Sequence, residues 1–320
     1  MNMTATSELA ARLKQNVGQV IVGKEDSIDL LLVALLCGGH VLLEDAPGTG
    51  KTLMAKALAT SLHCQFTRIQ FTPDLLPSDL SGINFYNQKT GDFQFRPGPL
   101  FTHILLADEI NRATPRTQSS LLECMEERQI TVDGQTHVLE RPFFVIATQN
   151  PVENQGTFPL PEAQLDRFLL KMQVGYPTSH EAVNILQRFK TGSPLDHLSA
   201  VASAQEIRDA QDRYAEVTVS DDLLTYIVAI VEATRSHQDV ILGASPRGSQ
   251  GLMRASQAYA ILRGRDFVTP DDVKYLAKPV LAHRLVLTPQ ARIRQDYART
   301  VIDEVLATVA VPTEDTLGVR

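Results

Sequence analysis

The sequence predicts an α/β fold: a parallel sheet covered by helices on both faces, with two β-hairpin insertions, followed by an all-α second domain. Three observations predict it. Short apolar runs that end in polar residues alternate with amphipathic segments through the first half of the chain. One such run leads into EDAPGTGKT (44–52), a near match to the phosphate-binding pattern G-x-x-x-x-G-K-S/T. After Tyr176 the strand-like runs stop and capped helical segments take over.

The strand candidates, in order, are VLLE (41–44), QFTRIQF (65–71), HILLADE (103–109), FFVIATQN (143–150) and FLLKMQV (168–174). Their continuous apolar character suits strands buried on both faces, as in a parallel sheet. Ligands of such sheets bind beyond the carboxyl ends of the strands, where these runs turn polar. Two segments break the alternation. GINFYNQKTGDFQFRPGP has aromatic arms around KTGD, and RQITVDGQTHVLE alternates around Asp133-Gly134, a strong two-residue turn signal. Both read as hairpins. Beyond the linker VGYPTSHEA, the helical segments SAQEIRDAQDRYAEV, SDDLLTYIVAIVEATR, SPRGSQGLMRASQAYAILRG and TPDDVKYLAKPVLAHRL each begin at a Ser or Thr cap. Residues 1–176 are thus expected to form the nucleotide-binding core and 177–310 the helical domain, with 311–320 as a frayed tail.

The bulk composition narrows the function classes. The chain has 320 residues, 43% hydrophobic and 21% charged, as expected of an ordinary globular protein. A net charge of −7 argues against a general nucleic-acid binder, which carries a basic face. Cys37, Cys64 and Cys124 are scattered and form no C-x-x-C pair, so they read as small apolar residues rather than a zinc site or disulfide framework. The start MNMTATSELAARLKQ lacks the organisation of a signal peptide, and LLLVALLCGG is too short to span a bilayer. A cytoplasmic protein without membrane insertion is expected.

The chemistry begins at the loop. Successive backbone N–H groups at a helix N-terminus attract an anion, and Gly48 and Gly50 permit close approach. Lys51 reaches the β- and γ-phosphates of ATP, and the Thr52 hydroxyl ligates Mg²⁺. The expected nucleotide cradle comprises Asp45, Ala46, Pro47, Gly48, Thr49, Gly50, Lys51, Thr52 and Leu53. Asp45 takes the place of the pattern's first glycine. Aspartate tolerates a left-handed backbone, so Asp45 is expected to adopt one there and to turn its carboxylate away from the phosphates. In ILLADE, Asp108 ends an apolar strand where it can hold Mg²⁺, and Glu109 can polarise the attacking water. In FVIATQNP, Asn150 ends another strand and can place its amide between that water and the γ-phosphate.

These motifs resemble the AAA+ ATPases. GKEDSI, EDAPGTGKT, FRPGPLFTHILLADEINRATPRTQSSLLECMEERQITVDG, ATQNP, LPEAQLDRF and GASPRG together are similar to the MoxR family of that class. The resemblance runs from about Val20 to Leu287. It implies an AAA+ P-loop NTPase core with a helical lid, and places the hairpins near 83–96 and 128–139 as the insertions of the helix-2-insert branch. It implies a homo-oligomeric ring, usually a hexamer, with nucleotide sites shared between neighbours. Arg167 in LDRF then matches the arginine finger, and Arg247 in ASPRG matches the second sensor, which links the lid to the phosphates. Val22 and Gly23 fall where the family contacts adenine. The family further implies a chaperone that remodels or matures a partner, often a protein with a von Willebrand factor A domain. A nucleic-acid motor is disfavoured, because TVDGQTHV carries no Lys or Arg and NQKTGDF only one lysine beside an aspartate. A nucleotide-gated scaffold with slow turnover would have no need of Glu109, Asn150 or Arg167.

Overall fold

The computed structural model describes residues 3–45, 48–150, 156–190, 192–294 and 296–312. Two helices, α1 (Met3–Val20) and α2 (Glu25–Leu36), precede β1 (Val41–Glu44). Neither helix is expected from the sequence pattern. In α2 the run Leu31–Leu36 is buried on every side, so it has no polar face and no helical period to detect. The apolar run considered as a membrane span is this core helix. Among the described residues no helix is long and apolar enough to cross a membrane.

The chain then runs through α3 (Lys51–Ser61), β2 (Phe66–Gln70), α4 (Pro77–Ser81), the hairpin β3 (Gly82–Asn87) and β4 (Asp92–Pro97), and β5 (Ile104–Asp108). It continues with α5 (Pro115–Glu127), the hairpin β6 (Gln129–Val132) and β7 (Gln135–Val138), β8 (Phe144–Gln149), α6 (Glu162–Leu165) and β9 (Leu170–Met172). All five expected strands join one parallel sheet, in the order β2-β5-β8-β1-β9. Alternate residues of each strand enter different cores. Leu43, Leu106 and Ile146 face α1, α2 and α3, whereas Leu42, Leu105 and Val145 face the α5 side. Because every strand points the same way, Glu44, Asp108 and Gln149 end at one edge of the sheet, the edge that holds the site.

Both hairpins form where the turns predicted. Asp133 and Gly134 have φ of 49° and 78°, the left-handed pair that a tight hairpin turn demands. The hairpins lean on each other: Asn84 donates to Asp133 at 2.9 Å, and the Phe95 ring stacks on His137 at 4.1 Å.

From α7 (Ser179–Phe189) the chain is helical: α8 (Ala204–Arg213), α9 (Asp221–Ser236), α10 (Pro246–Leu262), α11 (Pro270–Leu281), α12 (Pro289–Arg292) and α13 (Tyr297–Thr308). Ser203 and Ser220 accept hydrogen bonds from the first turns of α8 and α9, as their capping role requires. One short ribbon interrupts the helices, β10 (Val240–Leu242) against β11 (Val286–Leu287), too brief to show a strand period in the sequence. The helical domain shares the core that holds α1, α2 and one face of the sheet. Residues 313–320, most of the expected tail, lie outside the described part. Cys37 and Cys124 are buried, Cys64 is half-buried, and all three are free thiols. Burial pushes Cys37 and Cys64 up to about 11.

Candidate active site

The predicted phosphate loop opens on a cleft of about 430 Å³ at the carboxyl edge of the sheet. Asp45, Gly48, Thr49, Gly50, Lys51, Thr52 and Leu53 line one wall; Asp108, Glu109 and Asn150 line the other. The structure therefore brings together every loop residue it describes with the ends of β5 and β8. Ala46 and Pro47 lie outside the described residues. Gly48 and Gly50 have φ of 83° and 88°, a conformation that strains any L side chain, and the space beside each Cα is open. Helix α3 starts at Lys51, so its N-terminus, the positive end of the helix dipole, lies on the cleft. The Lys51 ammonium donates to the Asp45 carbonyl at 3.0 Å.

Asp45 corrects one expectation. Its backbone is not left-handed, since among the described residues the non-glycine residues with positive φ are His63, Glu109, Arg128, Asp133 and Asp296. Its carboxylate does turn away from the loop: it accepts the N–H groups of Val174 and of Gly175, the latter at 3.2 Å, just past the end of β9. An acid stands there because it ties the loop to the neighbouring strand. The strained backbone is at Glu109, with φ 55° and ψ 51°, a rare conformation for a non-glycine residue.

The two acids are held by residues that the sequence reading passed over. Asp108 accepts from the Arg68 guanidinium at 2.6 Å and from the Thr148 hydroxyl at 2.6 Å. Thr148 in turn accepts the Glu109 N–H at 2.8 Å, so one hydroxyl fixes both acids. The Glu109 carboxylate accepts from Gln70 at 2.7 Å and Arg112 at 3.1 Å. Arg68 and Gln70 alternate on β2, and that i, i+2 spacing of polar side chains at a strand end was the available signal. Asn150 is buried at the end of β8, on the same cleft. The donor set suits Mg²⁺: one strand-end carboxylate and the Thr52 hydroxyl, with water and phosphate oxygens for the rest. Among the described residues no cluster of three or more His, Cys, Asp or Glu could hold a metal by itself.

Gly23 lies on a separate cavity of about 950 Å³, with Lys24, Val174, Lys274, Tyr275 and Lys278. Val22 is half-buried beside it. This cavity meets the phosphate cleft at Asp45, through the bond to Val174.

Arg167 and Arg247 are elsewhere. They line a cleft of about 290 Å³ with Gly38, Gly39 and His40, the residues that lead into β1. The phosphate loop leaves β1 at its other end. Six residue steps from Gly39 to Asp45 amount to roughly 20 Å along a strand, far beyond the reach of an arginine side chain. Arg247 therefore does not reach the phosphate cleft of its own chain: α10 begins beside the end of α5, where Arg247 holds Glu126, at the opposite end of the sheet. The Ser245 hydroxyl, at the start of α10, donates to Asp166 at 3.1 Å, and that carboxylate pairs with the buried Arg284 at 2.7 Å. One aspartate thus anchors the segments that carry both arginines. Burial brings Arg284 down to about 10.

Comparisons with known proteins bear on the family and the fold. The family described as "ATPase family associated with various cellular activities (AAA)" matches residues 40–170, and an AAA lid domain matches residues 232–305. The chain is 51% identical to the YeaC protein of Bacillus subtilis over 96% of both chains. It is 43% identical to the chaperone MoxR1 of Mycobacterium tuberculosis, covering 92% of this chain and 80% of that one. A crystal structure from Cytophaga hutchinsonii superposes with a TM-score of 0.91 at 38% identity over 97% of both chains. Identity of this order over nearly the whole length, together with the matching AAA and AAA lid domains, places the chain in the MoxR family of AAA+ ATPases.

Proposed function

We propose that this chain hydrolyses ATP to ADP and phosphate at sites built from two neighbouring copies in a ring, usually of six, and uses the cycle to remodel or mature a partner protein. The partner class is a protein with a von Willebrand factor A domain. The observation that carries the shared-site part is the distance between the two clefts: Lys51 and Glu109 occupy one end of β1, Arg167 and Arg247 the other.

In this reading the loop N–H groups and Lys51 hold the β- and γ-phosphates, and Val22 and Gly23 flank the adenine. Thr52 and Asp108 hold Mg²⁺, which neutralises charge on the phosphate oxygens. Asn150 orients a water, and Glu109 takes its proton as the water oxygen bonds to the γ-phosphorus. The bond from that phosphorus to the bridging oxygen breaks and ADP leaves. Arg167 and Arg247 come from the next copy and meet the charge that develops, a contribution on the order of 10³–10⁵ in rate for arginine fingers elsewhere.

A mixing experiment tests it. Glu109→Gln and Arg167→Ala each abolish turnover alone. Mixed, some interfaces combine an intact Glu109 with an intact Arg167, and part of the activity returns. If both variants assemble and no mixture recovers activity, the shared site is wrong.

A further inference from the structure

Five arginines line the cleft at the amino end of β1, and their partners divide them into two groups. Arg128 donates to the Gly38 carbonyl at 3.0 Å, Arg254 to the Cys37 carbonyl at 2.6 Å, and Arg284 to Asp166 at 2.7 Å. These three are tied to the frame of the protein. Arg167 and Arg247 instead converge on one exposed carboxylate at the end of α5. Arg167 Nε lies 3.1 Å from Glu126 Oε2, and the Arg247 guanidinium holds Oε1. Each arginine takes one oxygen, so two cations that start from different domains are focused on one anionic group. The fork of an arginine fits a phosphate oxygen pair as it fits a carboxylate.

We infer that Glu126 is a positioning residue and an internal stand-in for the terminal phosphate: it holds Arg167 and Arg247 together at the place a neighbour's triphosphate will take, and competes with it. This inference rests on the shared-site reading above. The strengths of the contacts fit an exchangeable ligand. The side chains of Arg167, Arg247 and Glu126 are 31%, 44% and 35% exposed, so water and salt weaken both pairs. Arg284, at 3% exposed, belongs to the permanent frame. A triphosphate carries more charge than one carboxylate and displaces Glu126 from the exposed pairs while the frame stays fixed. Until then, Glu126 keeps the two arginines from repelling each other and from binding stray anions.

The test compares Glu126→Gln with Glu127→Gln, which removes the same charge from the adjacent exposed position. Turnover and assembly are followed against ATP concentration, the latter by mass photometry. Glu126→Gln lowers the half-saturating ATP for both by roughly 3- to 10-fold, the loss of two exposed ion pairs, and moves the maximal rate less. Binding of a fluorescent ATP analogue to dilute, unassembled protein stays unchanged, and Glu127→Gln behaves as the unaltered protein does. Glu126→Asp, which withdraws the charge by one methylene, shifts the same way by less and covers the case of a poorly folded Gln variant. Half-saturation that stays put or rises in both Glu126 variants, while Arg167→Ala still abolishes turnover, overturns the inference and leaves the shared site standing. If Arg167→Ala turns over normally, the shared site falls and this inference with it.

Discussion

Asp45 shows how a residue that departs from a motif finds its reason in a contact the motif does not contain. The phosphate pattern made it an anomaly; its hydrogen bonds to the N–H groups of Val174 and Gly175 make it a brace between the loop and β9. The carboxylate is buried, and hydrogen bonds to a charged group contribute about 1.5–3 kcal/mol. Asp45→Gly is therefore expected to lower stability by about 2 kcal/mol in urea denaturation, with ATP affinity within a few-fold of the starting protein. A large gain in affinity would show that the acid opposes the triphosphate. Glu109 is the opposite case. Its role was readable from its place after an apolar strand, whereas its left-handed backbone and its bonds to Gln70 and Arg112 were not. The bond to Gln70 depends on β2 lying next to β5 in space, although the two are far apart along the chain.

His40 illustrates what one side chain does for the elements around it. It precedes β1, accepts the Val145 N–H of β8 on Nδ1 at 3.0 Å, and donates from Nε2 to the Met125 carbonyl of α5 at 3.0 Å. The bond from Val145 requires an unprotonated Nδ1, and burial brings the ring's pKa from 6.5 down to about 4. The folded value is depressed, so the contribution to stability is complete above 6.5 and is lost as the pH falls towards 4. Between pH 7 and pH 5 the loss from His40 is about 2 kcal/mol. His283, also buried and shifted in the same direction, adds to it. Urea denaturation of His40→Gln at the two pH values should give a difference smaller by that amount, and an equal difference would remove His40 as the cause. The elements most legible in the sequence were those with a local signature. The Asp133-Gly134 turn needed two left-handed residues, the buried strands β1, β5 and β8 needed continuous apolar runs, and the lid helices announced themselves by their caps. Helix α2 was not legible because it is apolar on all sides, and the β10–β11 ribbon because two or three residues carry no period.

At the scale of the molecule, the order of elements was readable but the placement of the lid was not. Arg247 was expected to link the lid to the phosphates, and only the contact of the start of α10 with the end of α5 sets it beside Arg167 on Glu126, away from its own chain's phosphate loop. The client is a property of the whole assembly, and we expect the ATP-holding Glu109→Gln variant, used as bait in a lysate of the native cell, to enrich a von Willebrand factor A protein relative to Lys51→Ala. Equal recovery on both baits would detach that partner from the nucleotide cycle, and enrichment of nucleic acid would favour a motor. The two clefts at opposite ends of β1 also constrain symmetry. In the proposed ring each copy offers its loop cleft to one neighbour and its arginine cleft to the other, a heterologous, head-to-tail contact. An open row of copies then always holds one finished site fewer than it has members, and its last triphosphate waits without arginines. Only closure under a rotation leaves no subunit at an end.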